Sequence, residues 1–454
     1  MDIRQVIDHG RMTALQFRVV TICFFLNMLD GLDILSYANA QLTLSRDLSL
    51  DPQTMGAVGS AVLVGMMAGS IVTAPFADAI GRRKVLLVAL SLIAAGMFGA
   101  AACGSVTELV VARFVTGCGI GGVVPAMAAF AAEFTPLRSR NFSVTLVQGG
   151  YTLGAALTGV VAAWLIPAFG WQSLFVLGGV LSIVGIVVVF AMLPESPDFL
   201  LGKRPAAALE QLNSTLGKMG HPALPALPAP VAAKVKHGGP LATLSTLFSS
   251  RYVQPTLLLW VAFFMSLAAL YFLQTWVPQL VRNQGLTDAQ AYWSGTILNA
   301  GLFVGMASVG WVADRFGLRR TIATYLGLAA LVLLSFVYLT STEVMLAGLG
   351  VLGVLQGGFI GLYAVGARLY PTEIRTTGIG WAMGVGRPGG AIAPWFVGLL
   401  VAAGLGMVGI FKVFALPLAI AAIAVFAMRS AELESATRAG VSASRTRASA
   451  ARET

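Results

Sequence analysis

Apolar residues fall into long blocks separated by short polar breaks, and the breaks on alternate sides are rich in arginine. Such blocks recur about twelve times, near 17–42, 54–77, 85–104, 107–132, 142–166, 172–193, 253–281, 289–313, 319–340, 343–369, 377–402 and 408–428. Each is about 20–29 residues long, the length a tilted helix needs to cross a bilayer. The pattern predicts an all-α polytopic membrane protein with 12 transmembrane helices.

Composition agrees with the pattern. Of 454 residues, 57% are hydrophobic and only 11% are charged, against roughly 25% charged in a soluble domain. Mean hydropathy is +0.83. Most of the 29 Lys and Arg residues lie on one side of the predicted helices, with Arg46 and Arg282 on the other and Arg113, Arg387 and Lys412 inside them. The excess of basic residues in cytoplasmic loops then predicts cytoplasmic termini and a cytoplasmic central loop. This asymmetry accounts for the net charge of +10, and nucleic-acid binding is not needed to explain it. The first block is too long, and lacks the small-residue cleavage site, to be a signal peptide. Cys23, Cys103 and Cys118 read as small packing residues, without disulfide or metal spacing. His9, His221 and His237 all fall in predicted cytoplasmic segments. If protons move through this protein, carboxylates must carry them.

The chain repeats itself. Ala77-Asp78-Ala79-Ile80-Gly81-Arg82-Arg83 follows the second block, and Ala313-Asp314-Arg315-Phe316-Gly317-Leu318-Arg319-Arg320 follows the eighth; 314 − 78 gives an offset of 236. Glu133-Phe134-Thr135-Pro136-Leu137-Arg138 follows the fourth, and Tyr370-Pro371-Thr372-Glu373-Ile374-Arg375 follows the tenth; 375 − 138 gives 237. Two independent motifs at one offset predict two six-helix halves. The expected organisation is an N-terminal half over 1–193, a linker over 194–250, a C-terminal half over 251–428 and a disordered tail over 429–454. Ala206 to Leu216 predicts a short amphipathic helix, and His221 to Pro240, rich in Pro, Ala and Gly, a flexible connection.

Two aspartates sit near the middle of the first block, in Leu29-Asp30-Gly31-Leu32-Asp33-Ile34. Their spacing puts both carboxyls on one face of a helix. An ionised carboxylate at the centre of a membrane helix costs roughly 2.5–3.5 kcal/mol on insertion scales. Two such costs one turn apart point to a proton or substrate site. Arg113 opens the glycine-rich run Arg113-Phe114-Val115-Thr116-Gly117-Cys118-Gly119-Ile120-Gly121-Gly122. Glycines so spaced let membrane helices approach closely, and a nucleotide-binding reading fails because no strand precedes them. A buried Arg113 needs an anion: Asp30, Asp33 or a carboxylate substrate, with a fixed ion pair between helices as the structural alternative. Arg387, in Gly386-Arg387-Pro388, is a second intramembrane cation from the other half; it either meets an anionic substrate between the halves or snorkels to the cytoplasmic face. Asn39, Tyr151, Tyr271, Gln274, Trp276, Asn299, Gln356 and Tyr363 offer hydrogen bonds or ring contacts, and only a fraction of them are expected to line a cavity.

The loop Asp78-Ala79-Ile80-Gly81-Arg82-Arg83-Lys84, its second copy and the twelve-block layout resemble the major facilitator superfamily over the whole chain. That resemblance implies a gating latch built on Asp78, Gly81 and Arg82, and on Asp314, Gly317 and Arg319. Gly81 would turn tightly, Asp78 would cap a helix of the other half and Arg82 would pair with a nearby carboxylate. Ala74 and Leu318 depart from the usual pattern, and Leu318 weakens the second latch. Asp30-Gly31-Leu32-Asp33, Gly65-Met66-Met67-Ala68-Gly69, Gly117 to Pro125 and Leu258-Leu259-Trp260-Val261-Ala262-Phe263-Phe264 are similar to elements of the aromatic acid:proton symporters, and Leu193-Pro194-Glu195-Ser196-Pro197 resembles an element shared by sugar porters and organic-acid symporters. The resemblance implies import of a small aromatic carboxylate with protons, with Asp30 and Asp33 essential. It also implies a bacterial inner membrane, surrounding lipid and a monomer as the working state. No cofactor beyond the coupling proton is expected, and no enzyme chemistry, because neither a nucleophile–base pair nor a metal cluster appears. The alternatives are a proton symporter for a non-aromatic mono- or dicarboxylate, a proton-driven exporter or a non-transporting sensor. The fifth block, Gly149-Gly150-Tyr151-Thr152-Leu153-Gly154, lacks the Gly-Pro signature of drug–proton antiporters, which disfavours export.

Overall fold

The computed structural model describes residues 7–8, 10, 12–227, 247–250, 252–339, 341–370 and 372–428. The tail expected over 429–454, much of the flexible connection and the side chain of Asp78 lie outside the described residues. Every element among them is helical: α1 Ala14–Asp47, α2 Pro52–Ile80, α3 Arg82–Ala101, α4 Val106–Phe134, α5 Leu137–Phe169, α6 Gln172–Met192, α7 Pro197–Lys203, α8 Ala208–Lys218, α9 Val253–Asn283, α10 Asp288–Phe316, α11 Leu318–Ser335, α12 Thr342–Gln356, α13 Gly361–Leu369, α14 Thr372–Ala402 and α15 Met407–Ala427. Twelve spans among the described residues are long and apolar enough to cross a membrane. The tenth span is not one regular helix. α12 and α13 are joined by a 3₁₀ turn over Gly357–Ile360, where Gly357 and Gly358 press against Gly305 and Tyr325.

The chain divides into two compact units, Met1–Val235 and Lys236–Thr454. Both pack their helices in the same order. In the first, α1 lies on α5, α2 on α4 and α3 on α6; in the second, α9 lies on α14, α10 on α12 and α11 on α15. Lipid tails are as apolar as leucine, so helices in a membrane associate through close packing rather than hydrophobic exclusion. Glycine makes that packing possible here. An added Cβ at Gly154 would lie 1.8 Å from the Met28 carbonyl oxygen, and one at Gly31 would lie 2.0 Å from that of Tyr151. Gly117 faces Val62 across α2 and α4 in the same way, and Gly305 faces Val354 across α10 and α12. The glycine within the Asp-Gly-Leu-Asp sequence is therefore set by the crossing of α1 and α5.

One end of the first unit is tied by charge. Gly81 turns the chain between α2 and α3 at φ +104° and Gly317 does so between α10 and α11 at φ +87°, a region open to glycine and strained for other residues. Arg82 pairs with Glu133 at the end of α4 at 2.5 Å. Glu133 also accepts a hydrogen bond from the Ser196 hydroxyl. Glu195 accepts from the backbone amides of Arg83 at 3.1 Å and Ser196 at 2.9 Å. The Pro-Glu-Ser-Pro segment thus closes over the basic loop, and Arg82 finds its carboxylate inside its own unit. Arg83 donates to the carbonyls of Val189 and Phe190 at the end of α6. Arg319 does the equivalent in the second unit, donating to the Met428 carbonyl at 2.9 Å and lying over Phe426. Cations stabilise the C-terminal ends of helices. Leu318, buried, stands where Arg82 would be, so the second unit keeps the helix-end contact and lacks the ion pair.

Gly154→Ala and Gly305→Ala are expected to cost about 1–3 kcal/mol through overpacking, seen as lower melting temperatures in detergent. Gly310→Ala and Gly384→Ala, which meet nothing within 4 Å, are expected to be neutral. A double-mutant cycle of Arg82→Ala and Glu133→Gln should return a coupling of about 0.5–3 kcal/mol, because either single change strands a partly buried charge. Additive melting shifts would show that the pair contributes nothing.

Candidate functional site

The face of α1 that carries the two aspartates is buried. Asp30 is 2% exposed and Asp33 and Arg113 are 0% exposed. α1 brings Asp33 and, one turn on, Tyr37; α4 brings Arg113; α3 brings Met97; and α6 brings Phe175 and Gly178. Arg113 does not form an ion pair with the Asp33 carboxylate. Its Nη1 donates to the Asp33 backbone carbonyl at 3.2 Å. Its guanidinium lies over the rings of Tyr37, at 5.6 Å, and Phe175, at 6.0 Å. A guanidinium is planar and weakly hydrated enough to be held this way, and a desolvated cation–π contact contributes about 2 kcal/mol. The Tyr37 hydroxyl is itself anchored, donating to the Met55 carbonyl at 2.6 Å. Neither carboxylate oxygen of Asp33 has a hydrogen-bond partner. Its Oδ1 points at Gly178, where an added Cβ would sit 2.6 Å away.

A buried ionised carboxylate without a donor is costly. The arrangement therefore suits a carboxyl that exchanges a proton, beside a cation whose direct contacts among the described residues are a carbonyl and two ring faces and which feels the Asp33 charge without bonding to it. Such a cation is also a ready receptor for an anion.

The polar residues of the second unit form a separate cluster. Gln274 of α9 donates to Asn299 of α10 at 3.1 Å, and Asn299 donates to the Gly295 carbonyl at 2.9 Å. Gln356 of α12 donates to the Ser266 carbonyl at 3.2 Å. All three polar side chains border one small cavity with Leu270, Leu273 and Leu298. Tyr363 packs edge-on against Phe263 at 5.2 Å, and Tyr271 packs on Gly390. Trp276 is structural, its indole donating to the Pro394 carbonyl at 2.9 Å. Arg387 is half-buried on α14, next to Gly386, which packs on Phe263. In the first unit Asn39 donates to the Leu35 carbonyl of its own helix at 3.0 Å, and Tyr151 is half-buried on α5. Of the residues singled out in the sequence, the structure gathers Asp30 and Asp33 with Arg113, Gln274 with Asn299 and Gln356, and Tyr363 near Arg387.

Sequence reasoning missed Tyr37, Phe175 and Gly178 here; at the basic loop it quoted Glu133, Glu195 and Ser196 within motifs and expected a carboxylate for Arg82 without saying which. Tyr37 had a signal, since it stands one helical turn beyond Asp33. The α6 residues had none, because only the packing of α6 on α1 and α4 brings them in.

The sequence model of the Major Facilitator Superfamily matches residues 20–394, with a second match over 259–452. The 4-hydroxybenzoate transporter PcaK of Pseudomonas aeruginosa is 34% identical, over 94% of this chain and 95% of that protein. PcaK of Acinetobacter baylyi is 32% identical over 94% of both. The gallate transporter of Pseudomonas putida is 32% identical over 95% of this chain and 96% of its own. Among solved structures, the xylose transporter XylE from E. coli, in a partially occluded inward-open conformation, superposes with a TM-score of 0.72 at 15% identity, over 90% of this chain and 97% of that one. That last likeness bears on fold alone. The chain belongs to the major facilitator superfamily and, within it, to the aromatic acid:proton symporter family.

Proposed function

We propose that this protein is a proton-coupled secondary transporter that imports an aromatic carboxylate of the benzoate or hydroxybenzoate type by alternating access. The observation that carries the reading is the unpartnered Asp33 carboxyl beside a fully buried Arg113, in a chain whose relatives are named as transporters of 4-hydroxybenzoate and gallate. Asp33 and Asp30 take the proton. With Asp33 neutral, the charge of Arg113 stands uncompensated, and a substrate carboxylate restores the balance. Arg387 is the second cation for that carboxylate. Tyr151, Tyr271 and Tyr363 supply ring contacts, and Asn39, Gln274 and Asn299 supply hydrogen bonds to ring substituents. The loaded carrier is near neutral and crosses between its two states without carrying an exposed charge through lipid. Loss of the proton on the side of higher pH releases the substrate.

The rest of the reading follows the sequence. Asp78, Gly81 and Arg82 gate one end, and Asp314, Gly317 and Arg319 gate its counterpart. The halves are 1–193 and 251–428, joined by 194–250 and followed by the tail 429–454. Both termini face the cytoplasm of a bacterial inner membrane, and the protein works as a monomer in lipid without a cofactor.

Uptake of radiolabelled 4-hydroxybenzoate, benzoate and gallate into proteoliposomes, with and without an inward proton gradient, tests this. Gradient-dependent accumulation of at least one acid is expected. Accumulation of only aliphatic acids in a competition panel would point to a different carboxylate, and binding without accumulation would overturn transport. Asp30→Asn and Asp33→Asn are expected to abolish accumulation while leaving the protein folded; a variant that still concentrates substrate would remove that carboxyl from the scheme. Arg113→Lys keeps the charge and loses the flat contact with two rings. It is expected to lower initial uptake about tenfold, the equivalent of about 1.4 kcal/mol.

A further inference from the structure

Gly178 lies in the middle of α6, where the helix needs no turn and no positive φ. Its missing side chain opens a niche between α6, α3 and α1, walled by the end of Met97 and by Asp33. A Cβ there would lie 2.3 Å from Met97 Cε and 2.6 Å from Asp33 Oδ1. Met97 is long and flexible and can give way. The Asp33 side chain is short, and its helix is fixed two residues earlier by the contact of Gly31 with α5. A methyl group at position 178 therefore turns the carboxyl back toward α4. The group waiting there is the Arg113 guanidinium, already bonded to the carbonyl of the same residue and held in place by Tyr37 and Phe175. Among the described residues, the titratable groups around Asp33 are Asp30 and Tyr37 on its own helix and Arg113 on α4, with Tyr151 of α5 placed two residues away against Gly31; Met97 of α3 and Phe175 and Gly178 of α6 carry no charge.

We propose that Gly178 is a positioning residue for proton coupling: the space it leaves holds the Asp33 carboxyl off the Arg113 guanidinium, so that the carboxyl gains and loses its proton without first breaking an ion pair. The assignment rests on the transport function proposed above and deepens it. It separates two jobs that one ion pair would merge, since Asp33 handles the proton while Arg113 stays open to an anion. Occupying the niche would lock the two together. Protonation would then require stronger acid, because the guanidinium would favour the ionised carboxylate.

The test is Gly178→Ala, alone and with Met97→Ala, in the full-length protein in proteoliposomes with radiolabelled 4-hydroxybenzoate. Exchange of labelled for unlabelled substrate without a gradient, gradient-driven accumulation and the pH profile of uptake are measured together. Gly178→Ala is expected to lose tenfold or more of the accumulation, to exchange more slowly because the Asp33 carboxylate then competes with the substrate for Arg113, and to have its pH profile displaced toward lower pH. Met97→Ala supplies the volume of the new methyl group, so the double variant covers the case in which the single one fails to fold. It should remain uncoupled, because the approach to Asp33 persists. Full coupling in the double variant would assign the effect to Met97 and overturn the proposal, as would an unchanged pH profile in Gly178→Ala. A parent that accumulates none of the aromatic acids tested would overturn the proposed function and this inference with it, whereas a coupled parent with a coupled Gly178→Ala overturns only the inference.

Discussion

A charge inside a membrane protein has no water to fall back on, and this requirement organises the first unit. Arg113 is fully buried, and its charge is met by what the neighbouring helices can bring: a backbone carbonyl from α1, one ring from α1 and another from α6. Those three contacts need α1, α4 and α6 at fixed distances. Glycines set the packing around them: Gly31 lets α1 lie on α5, Gly117 lets α4 lie on α2, and Gly178 and Gly185 bring α6 against α1. Close packing and charge placement are thus one problem, and a glycine lost from a crossing is also a displacement at the site.

The two units solve the packing problem alike and the charge problem differently. Each pairs its first helix with its fifth, its second with its fourth and its third with its sixth. Each also sends one arginine, Arg83 or Arg319, to the C-terminal end of its sixth helix. Only the first carries the Arg82–Glu133 pair with Ser196 and Glu195 around it, and only the first carries aspartates in its opening helix. The second instead carries a cluster of neutral amides, Gln274, Asn299 and Gln356, and a half-buried cation, Arg387. The two units share a scaffold and differ at a few inward positions.

The helices were legible because crossing a bilayer demands length and apolarity, and both are written along the chain. α6, predicted over 172–193, is found at Gln172–Met192, and α9, predicted over 253–281, at Val253–Asn283. The break in the tenth span was not legible: Gly357 and Gly358 look like any other packing glycines until Gly305 and Tyr325 are seen against them. Asp30, Asp33 and Arg113 announced themselves by their cost in lipid. Phe175 and Gly178 did not, since a phenylalanine and a glycine in an apolar helix are unremarked among many.

The sequence by itself determined the twelve helices, their duplication and the presence of charges that need a reason. Those follow from period, length and the price of burying a charge, which are local to each stretch of chain. Tertiary structure alone decided what each charge touches. It put Arg82 on Glu133 within one unit, turned Arg113 to the carbonyl of Asp33 instead of its carboxylate, and left that carboxylate facing an empty position on α6. Such choices turn on side-chain direction and on gaps of one methyl group between helices far apart in sequence, and no stretch of sequence records a distance to another.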